Sequence, residues 1–199
     1  VSAPYREQPT SSGHQVWVNC KGEAGMSAER ADPHQVAPDV CNMSDREGVE
    51  PIRAADQLVL EADLFRQIVA HLRSELPNEG VGLLAAHLTQ EGEFVTATAT
   101  RFFPGRNRRA SPTRYDLDLR DLVRAMGEME DAGEVLGGIV HSHPLGAPTP
   151  SVTDLAEAYY PESLMVIVSF SDVTPWLRAW RLSGQAGAWH PIEVPVFES

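Results

Sequence analysis

Cysteine is scarce in these 199 residues: Cys20 and Cys41 are the only two, with twenty residues between them and no CxxC pattern. That excludes a thiolate zinc ribbon and a disulfide scaffold, and two unpaired thiols in a tail is the plain reading. Positive charge is also short. Sixteen basic residues stand against 28 acidic ones, for a net charge of −12 that would repel a phosphate backbone, so nucleic acid is not an expected partner. No apolar run approaches the roughly 20 residues of a membrane helix. The first residues, VSAPYREQPTSSGH, lack the apolar stretch of a signal peptide, and the expected setting is cytoplasmic with no membrane partner. With 42% hydrophobic and 22% charged residues, a collagen, a coiled coil or a wholly disordered chain is excluded too.

Residues 1–52 are rich in Ser, Pro, Gly, Ala and charge, without apolar periodicity that could bury a face, and are expected to form a disordered extension. Met43 opens a segment that reads as a natural beginning, and some or all of residues 1–42 are expected to precede the native start. From Leu58 on, Leu60, Leu64, Phe65, Ile68, Val69, Leu72 and Leu76 recur three and four apart and predict one amphipathic helix closed by Pro77. Val81–Ala86 and Phe94–Phe103 predict a hairpin turning at 90–93, and residues 104–114 a loop. Tyr115–Leu117 is expected as a short strand, and Leu119, Leu122, Val123, Met126 and Met129 as a second helix ending near Gly133. Glu134–Val140 reads as a strand, Ser151 opens a short helix reaching about Tyr160, Leu164–Phe170 is a buried strand, and 176–182 and 189–197 close the sheet. Helices and strands alternate without a strict βαβ rhythm, so the expected fold is a layered α/β domain with a mixed sheet flanked by helices.

The chemistry concentrates where the predicted strand runs into His141-Ser-His143-Pro144. Residues two apart on a strand leave the same face with Cβ atoms about 6–7 Å apart, close enough for one ion to join both imidazoles. Ser151 and Asp154 lie three apart at the first turn of the following helix, on one face. Two histidines and one carboxylate make a three-ligand set, which leaves the fourth tetrahedral position for water, as catalytic zinc sites do. Water acidified by zinc still needs a group to move its proton, and Glu79, between Pro77 and an apolar run, is the candidate, in a setting that would raise its pKa. Ser151 is the candidate donor to a developing oxyanion. Taken singly, each residue has an ordinary explanation: a packed histidine, a capping box, a solvated turn. Together the His-x-His-x7-Ser-x2-Asp pattern arises by chance in roughly one chain of this length in a thousand.

With Glu79 upstream, these residues resemble the JAMM motif of the MPN+ (Mov34/PAD-1) zinc metallopeptidases. The resemblance runs from about Leu58 to Leu182 and includes Pro77–Leu83, Tyr115–Asp118, Gly137–Pro144, Pro150–Asp154 and Arg178-Ala179, as in the short bacterial members. It implies a cytidine-deaminase-like MPN domain over residues 53–199, with His141, His143 and Asp154 as Zn²⁺ ligands, Glu79 as general acid/base and Ser151 steadying the tetrahedral intermediate. It further implies hydrolysis of an amide or isopeptide bond after the C-terminal Gly-Gly of a ubiquitin-like or sulfur-carrier protein. An extended tail of that kind could add to an exposed strand, with residues 94–103 and 104–114 as walls. The alternatives are a non-catalytic MPN scaffold, whose members usually lack part of the ligand set, and a RadC-like DNA-associated protein, which the charge of −12 disfavours. A homodimer is one of the oligomeric states left open. His14, His34, His71, His87 and His190 lack ligand spacing, and Trp176, Trp180 and Trp189 read as core or sheet-face aromatics. The arginines at 101, 106, 108, 109 and 114 read first as a solvated loop, and second as a means of steering an acidic carrier toward the site.

Overall fold

The structure is a computed structural model that describes residues 53–198 and, in the N-terminal part, the backbone of three strands. The chain divides into two units, Val1–Pro51 and Ile52–Ser199. In the first, β1 (Tyr5–Pro9), β2 (Gln15–Asn19) and β3 (Ala24–Gly25) pair antiparallel in the order 1-2-3. Most of residues 1–52, including both cysteines, His14, His34 and Met43, lies outside the described residues, and with it the expectations placed there.

The second unit is built on an eight-stranded mixed sheet in the order β10-β9-β8-β7-β5-β6-β4-β11. Its strands are β4 (Gln57–Leu60), β5 (Val81–Glu91), β6 (Phe94–Gly105), β7 (Val135–His143), β8 (Leu164–Ser169), β9 (Trp176–Gln185), β10 (Ala188–Val194) and β11 (Val196–Glu198). The helices are α1 (Ala62–Ser74), α2 (Leu119–Asp131) and α3 (Val152–Ala156). β7 runs parallel to β8 and antiparallel to β5, and so is paired on both sides. The layered mixed α/β fold is as expected.

Sequence alternation assigns each face its own task. On one face the α1 stripe Leu64, Ile68 and Leu72 packs with Leu84, Val140, Val166 and Val168 in a single large apolar core. On the other, α2 covers Leu83 and Ala85 with Ala125 and Met129, while Met165, Ile167 and Trp180 form a separate cluster behind α3. His141 and His143 share this second face because they are odd-numbered neighbours of Ile139 on β7.

Several boundaries differ from expectation. Leu58 and Leu60 begin no helix. They are the buried positions of β4, whose alternation fits a strand between β6 and β11, and α1 starts only after Glu61. Tyr115–Leu117 is no strand, since only an isolated bridge joins Leu117 to Asn107. The segment is pressed against the end of β6 instead. Leu117 Cδ1 would lie 2.3 Å from any Cβ at position 105, so a side chain there would have to displace the Leu117 methyl that fills the space over Gly105. α3 ends at Ala156 rather than near Tyr160. Of the five apolar positions that mark α2, Met129 is buried and Leu122 half-buried, whereas Leu119, Val123 and Met126 face outward.

Candidate metal centre

The C-terminal end of β7 carries His141, fully buried, and His143, mostly buried. Their Nε2 atoms are 3.3 Å apart. Asp154 Oδ1 lies 3.5 Å from His141 Nε2, and Asp154 Oδ2 lies 3.4 Å from His143 Nε2. One donor atom from each of the three residues falls within 4.8 Å of the others. Tetrahedral geometry at metal–ligand distances of about 2.0–2.1 Å requires ligand atoms about 3.3–3.4 Å apart; the two imidazole nitrogens have that spacing, and a different oxygen of Asp154 lies close to each ring. The donor set suits a divalent transition ion of borderline softness.

The chain returns from His143 to Asp154 along a tethered path. Ser169 Oγ donates to the Gly146 carbonyl (2.6 Å), Trp180 Nε1 donates to the Pro148 carbonyl (3.0 Å), and the Phe170 amide donates to the His143 carbonyl (3.0 Å). Ser151 then caps α3 in a reciprocal box: its Oγ accepts from the Asp154 amide (3.1 Å) and its amide donates to Asp154 Oδ2 (2.7 Å). The capping box thus holds the carboxylate that faces both rings.

A backbone hydrogen bond sets the tautomer of His143. His143 Nδ1 donates to the Ala147 carbonyl at 2.7 Å, which leaves the Nε2 lone pair for an ion. His141 Nδ1 is buried with no partner among the described residues. Burial pushes the His141 ring below its ordinary pKa against the pull of Asp154. Burial opposes charging of His143 as well, but there the Asp154 and Ala147 hydrogen bonds and the charges of Asp154 and Glu79 prevail and raise it. Asp154 would be raised by burial, yet its hydrogen bonds to the two rings and to Ser151 hold it well below the carboxylate range.

Glu79 arrives from the neighbouring strand. Val81 pairs with His141 across the β5–β7 ladder, the Ser142 amide donates to the Gly80 carbonyl (3.0 Å), and the Gly80 amide donates to Ser142 Oγ (2.8 Å). Glu79, next in line, is only 3% exposed, and its Oε2 has no partner among the described residues. Burial, reinforced by Asp154 and opposed by His143, pushes its pKa up to about 7. A cation held by the three ligands would lower it from there.

Three supporting residues carried no sequence signal of their own. Tyr115 stacks on His141 with ring centroids 4.7 Å apart, and its hydroxyl is pushed up by burial and by the charges of Asp154, Glu79 and Glu157. Asn107 Nδ2 donates to the Glu79 and Arg114 carbonyls (2.8 and 3.2 Å), while its Oδ1 accepts from the Arg109 and Asp116 amides. Ser142 joins β7 to Gly80, as above. Tyr115 stood out only within the Tyr115–Asp118 segment, and Asn107 was one polar residue in a polar loop.

A groove of about 360 Å³ opens beside Asp154 and Tyr115. Its floor is Ile139, Leu164, Met165 and Leu182, with Leu122 of α2 on one side and Arg109 and Arg114 at the rim. The loop expected as a wall is there, but 94–103 is not among the lining residues, because β6 lies beneath α2. No exposed strand is offered at the end of β7 beside His141 and His143 either, since β7 is paired on both sides.

A family model of prokaryotic homologs of the JAB domain matches residues 61–183. A CysO-cysteine peptidase of Mycobacterium tuberculosis is 37% identical over 138 residues, covering 69% of this chain and 90% of the relative. A desampylase of Haloferax volcanii is 33% identical over 120 residues, 58% of this chain and 82% of the relative. A probable TtuB-protein conjugate cleaving protease of Thermus thermophilus is 37% identical over 102 residues, 51% and 63% of the two chains. Among solved structures, a protein of Desulfitobacterium hafniense superposes with a TM-score of 0.62 at 26% identity, covering 71% of this chain and 92% of its own. No helix among the described residues is long and apolar enough to cross a membrane. Fold, ligand geometry and sequence likeness agree, and the chain belongs to the family of prokaryotic JAB-domain proteins.

Proposed function

We propose that this protein is a zinc-dependent peptidase or isopeptidase that hydrolyses the amide bond after the C-terminal Gly-Gly of a small ubiquitin-like or sulfur-carrier protein. The observation that carries the reading is the convergence of His141, His143 and Asp154, one donor atom from each within 4.8 Å of the others, in one site with a buried carboxylate that has an unpartnered oxygen. The names of the relatives, a CysO-cysteine peptidase and a conjugate cleaving protease among them, support the substrate class. In this reading His141, His143 and Asp154 hold Zn²⁺, which supplies Lewis acidity, lowering the pKa of water to about 7 and polarising a carbonyl.

The remaining work falls to the chain itself. Glu79 Oε2 accepts the proton of the attacking water and delivers it to the departing amine nitrogen, a shuttle suited to a carboxylate raised toward neutrality. Ser151 Oγ accepts from the Asp154 amide, so its own proton is free to donate to the oxyanion. Tyr115 keeps the His141 ring in place, and the apolar groove excludes water from one side of the reacting bond.

The test is incubation with each Gly-Gly-tailed β-grasp protein encoded in the same genome, extended by one amino acid, with product mass read with and without a chelator. Release of the added residue by the zinc-loaded enzyme alone is expected. Glu79→Gln should keep one zinc per chain and lose hydrolysis by about 10²–10⁴-fold. Equal activity in that variant would remove Glu79 from the mechanism, and chelator-resistant cleavage would remove the metal.

A further inference from the structure

Glu79 belongs to no helix or strand: α1 ends at Ser74, and β5 begins only at Val81. The sheet ladder therefore does not fix its backbone, whose two polar groups are bonded elsewhere. The Glu79 amide donates to the Ser111 carbonyl (2.8 Å), and the Glu79 carbonyl accepts from Asn107 Nδ2 (2.8 Å), so the residue hangs on a loop remote in sequence. That stretch of loop is folded around the Asn107 side chain, which is buried and uses all of its hydrogen-bonding capacity. Nδ2 donates to the Glu79 and Arg114 carbonyls, and Oδ1 accepts from the Arg109 and Asp116 amides, each at 3.0 Å. These partners admit one orientation of the amide, since the flipped group would set its oxygen against two carbonyls and its NH2 against two N–H groups. Two of them, Arg114 and Asp116, flank Tyr115, whose ring stacks on His141. On its other side Glu79 is followed by Gly80, latched to Ser142 between the two histidines. A single buried amide thus references Glu79 to the elements that hold the metal ligands.

We propose that Asn107 is a positioning residue for the reaction, which aligns the Glu79 carboxylate by holding its backbone while touching neither substrate nor metal. This rests on the hydrolase reading above, in which Glu79 moves the proton. Glu79 Oε2 has no hydrogen-bond partner among the described residues, so the alignment of that oxygen comes through the main chain. A fully satisfied buried network is stiff enough to supply it. Misplacing a reacting group by about 1 Å costs about 10²-fold in rate, which makes such a contact worth its buried polar atoms.

The variant is N107D, which keeps both acceptor contacts of the loop and sets an oxygen against the Glu79 and Arg114 carbonyls. The substrate is a synthetic tail peptide, the last residues of a Gly-Gly carrier extended by one amino acid. For it, kcat should fall by about 10²-fold, with KM unchanged and one zinc per chain retained. The sharper readout is the cycle with E79Q: E79Q/N107D should be no slower than E79Q, because an amide that acts through Glu79 has nothing left to align. Losses that multiply, wild-type kcat in N107D, or a rise in KM alone would each overturn the positioning role and leave the hydrolase reading intact. If N107D lacks the wild-type far-UV CD spectrum, N107A, which breaks the same link without adding a charge, takes its place with the same expectations. Failure of the zinc-loaded wild type to cleave any tail would sink the hydrolase reading instead. Amide hydrogen exchange then decides whether Asn107 holds Glu79: the Glu79 amide should exchange at least about 10-fold faster in the variant than in the wild type. Unchanged protection of that amide would overturn the proposal.

Discussion

The two faces of the central sheet are filled from alternating residues of the same strands, yet they differ in kind. On the α1 side Leu84, Val140, Val166 and Val168 meet Leu64, Ile68 and Leu72 in one continuous apolar layer. On the opposite side the apolar residues split into two small clusters under α2 and behind α3, and His141, His143, Asp154 and Glu79 gather at the end of the β5–β7 pair, beside the groove. Val140 and His141 are adjacent in sequence, both fully buried, and belong to different layers. The lesson is a division of labour. The α1 face supplies cohesion, which lets the other face hold desolvated polar groups that by themselves oppose folding.

The comparison breaks if a single change on one face has the signature of the other. Asp154→Asn removes the negative charge that faces both rings while keeping side-chain shape. Stoichiometric zinc, read by metal analysis after dialysis, should drop to background, and hydrolysis should vanish with it while the far-UV CD spectrum stays unchanged. Ile68→Ala should do the reverse. It should cost about 2–5 kcal/mol in denaturant unfolding and leave zinc content and peptide turnover of the folded fraction unaltered. Loss of zinc in Ile68→Ala would show that the faces are not separable.

The two faces were not equally legible in the sequence. The His141-x-His143 and Ser151-x-x-Asp154 pairs are local patterns, one set by the strand period and the other by a helical first turn, so spacing alone locates them. Glu79 was legible as a carboxylate beside an apolar run, but its place next to Gly80–Ser142 depends on β5–β7 register, which is a tertiary fact. Leu58 and Leu60 satisfy both the helical and the strand period, and only pairing with β6 and β11 decides between them. α2 misleads in another way. Its five apolar residues cover more of the helix than the sheet can bury, and sequence does not say that Leu119, Val123 and Met126 are the ones left outside.

Next in size is the pH dependence of the metal-free protein. Glu79 has its pKa raised from 4.5 to about 7, so between those values the folded state binds more protons than the unfolded one, and stability falls as pH rises. At about 1.36 kcal/mol per pH unit the loss accumulates to about 3 kcal/mol by pH 8. Glu79→Gln, neutral at every pH, should remove that part of the slope and make the chelator-treated protein more stable than its parent at pH 8, with little difference at pH 4.5. Urea midpoints at the two pH values measure this. An unchanged slope would show that Glu79 titrates as an exposed carboxylate, against its burial.

The smallest effect separates two roles of one hydroxyl. As the cap of α3, Ser151 accepts from the Asp154 amide, and Ser151→Ala should cost about 1 kcal/mol of stability through that bond alone. As an oxyanion donor it acts only when a carbonyl is attacked, so the same change should also lower kcat by about 10²-fold, with KM for the tail peptide nearly constant and zinc retained. Ser151→Gly should lose only a few tenths of a kcal/mol as a cap, because glycine is tolerated there, yet should lose the same factor in kcat. If the Gly variant recovers activity in proportion to its recovered stability, the hydroxyl serves the helix and not the reaction. If kcat stays equally low in both, the cap and the oxyanion contact are independent uses of the same oxygen.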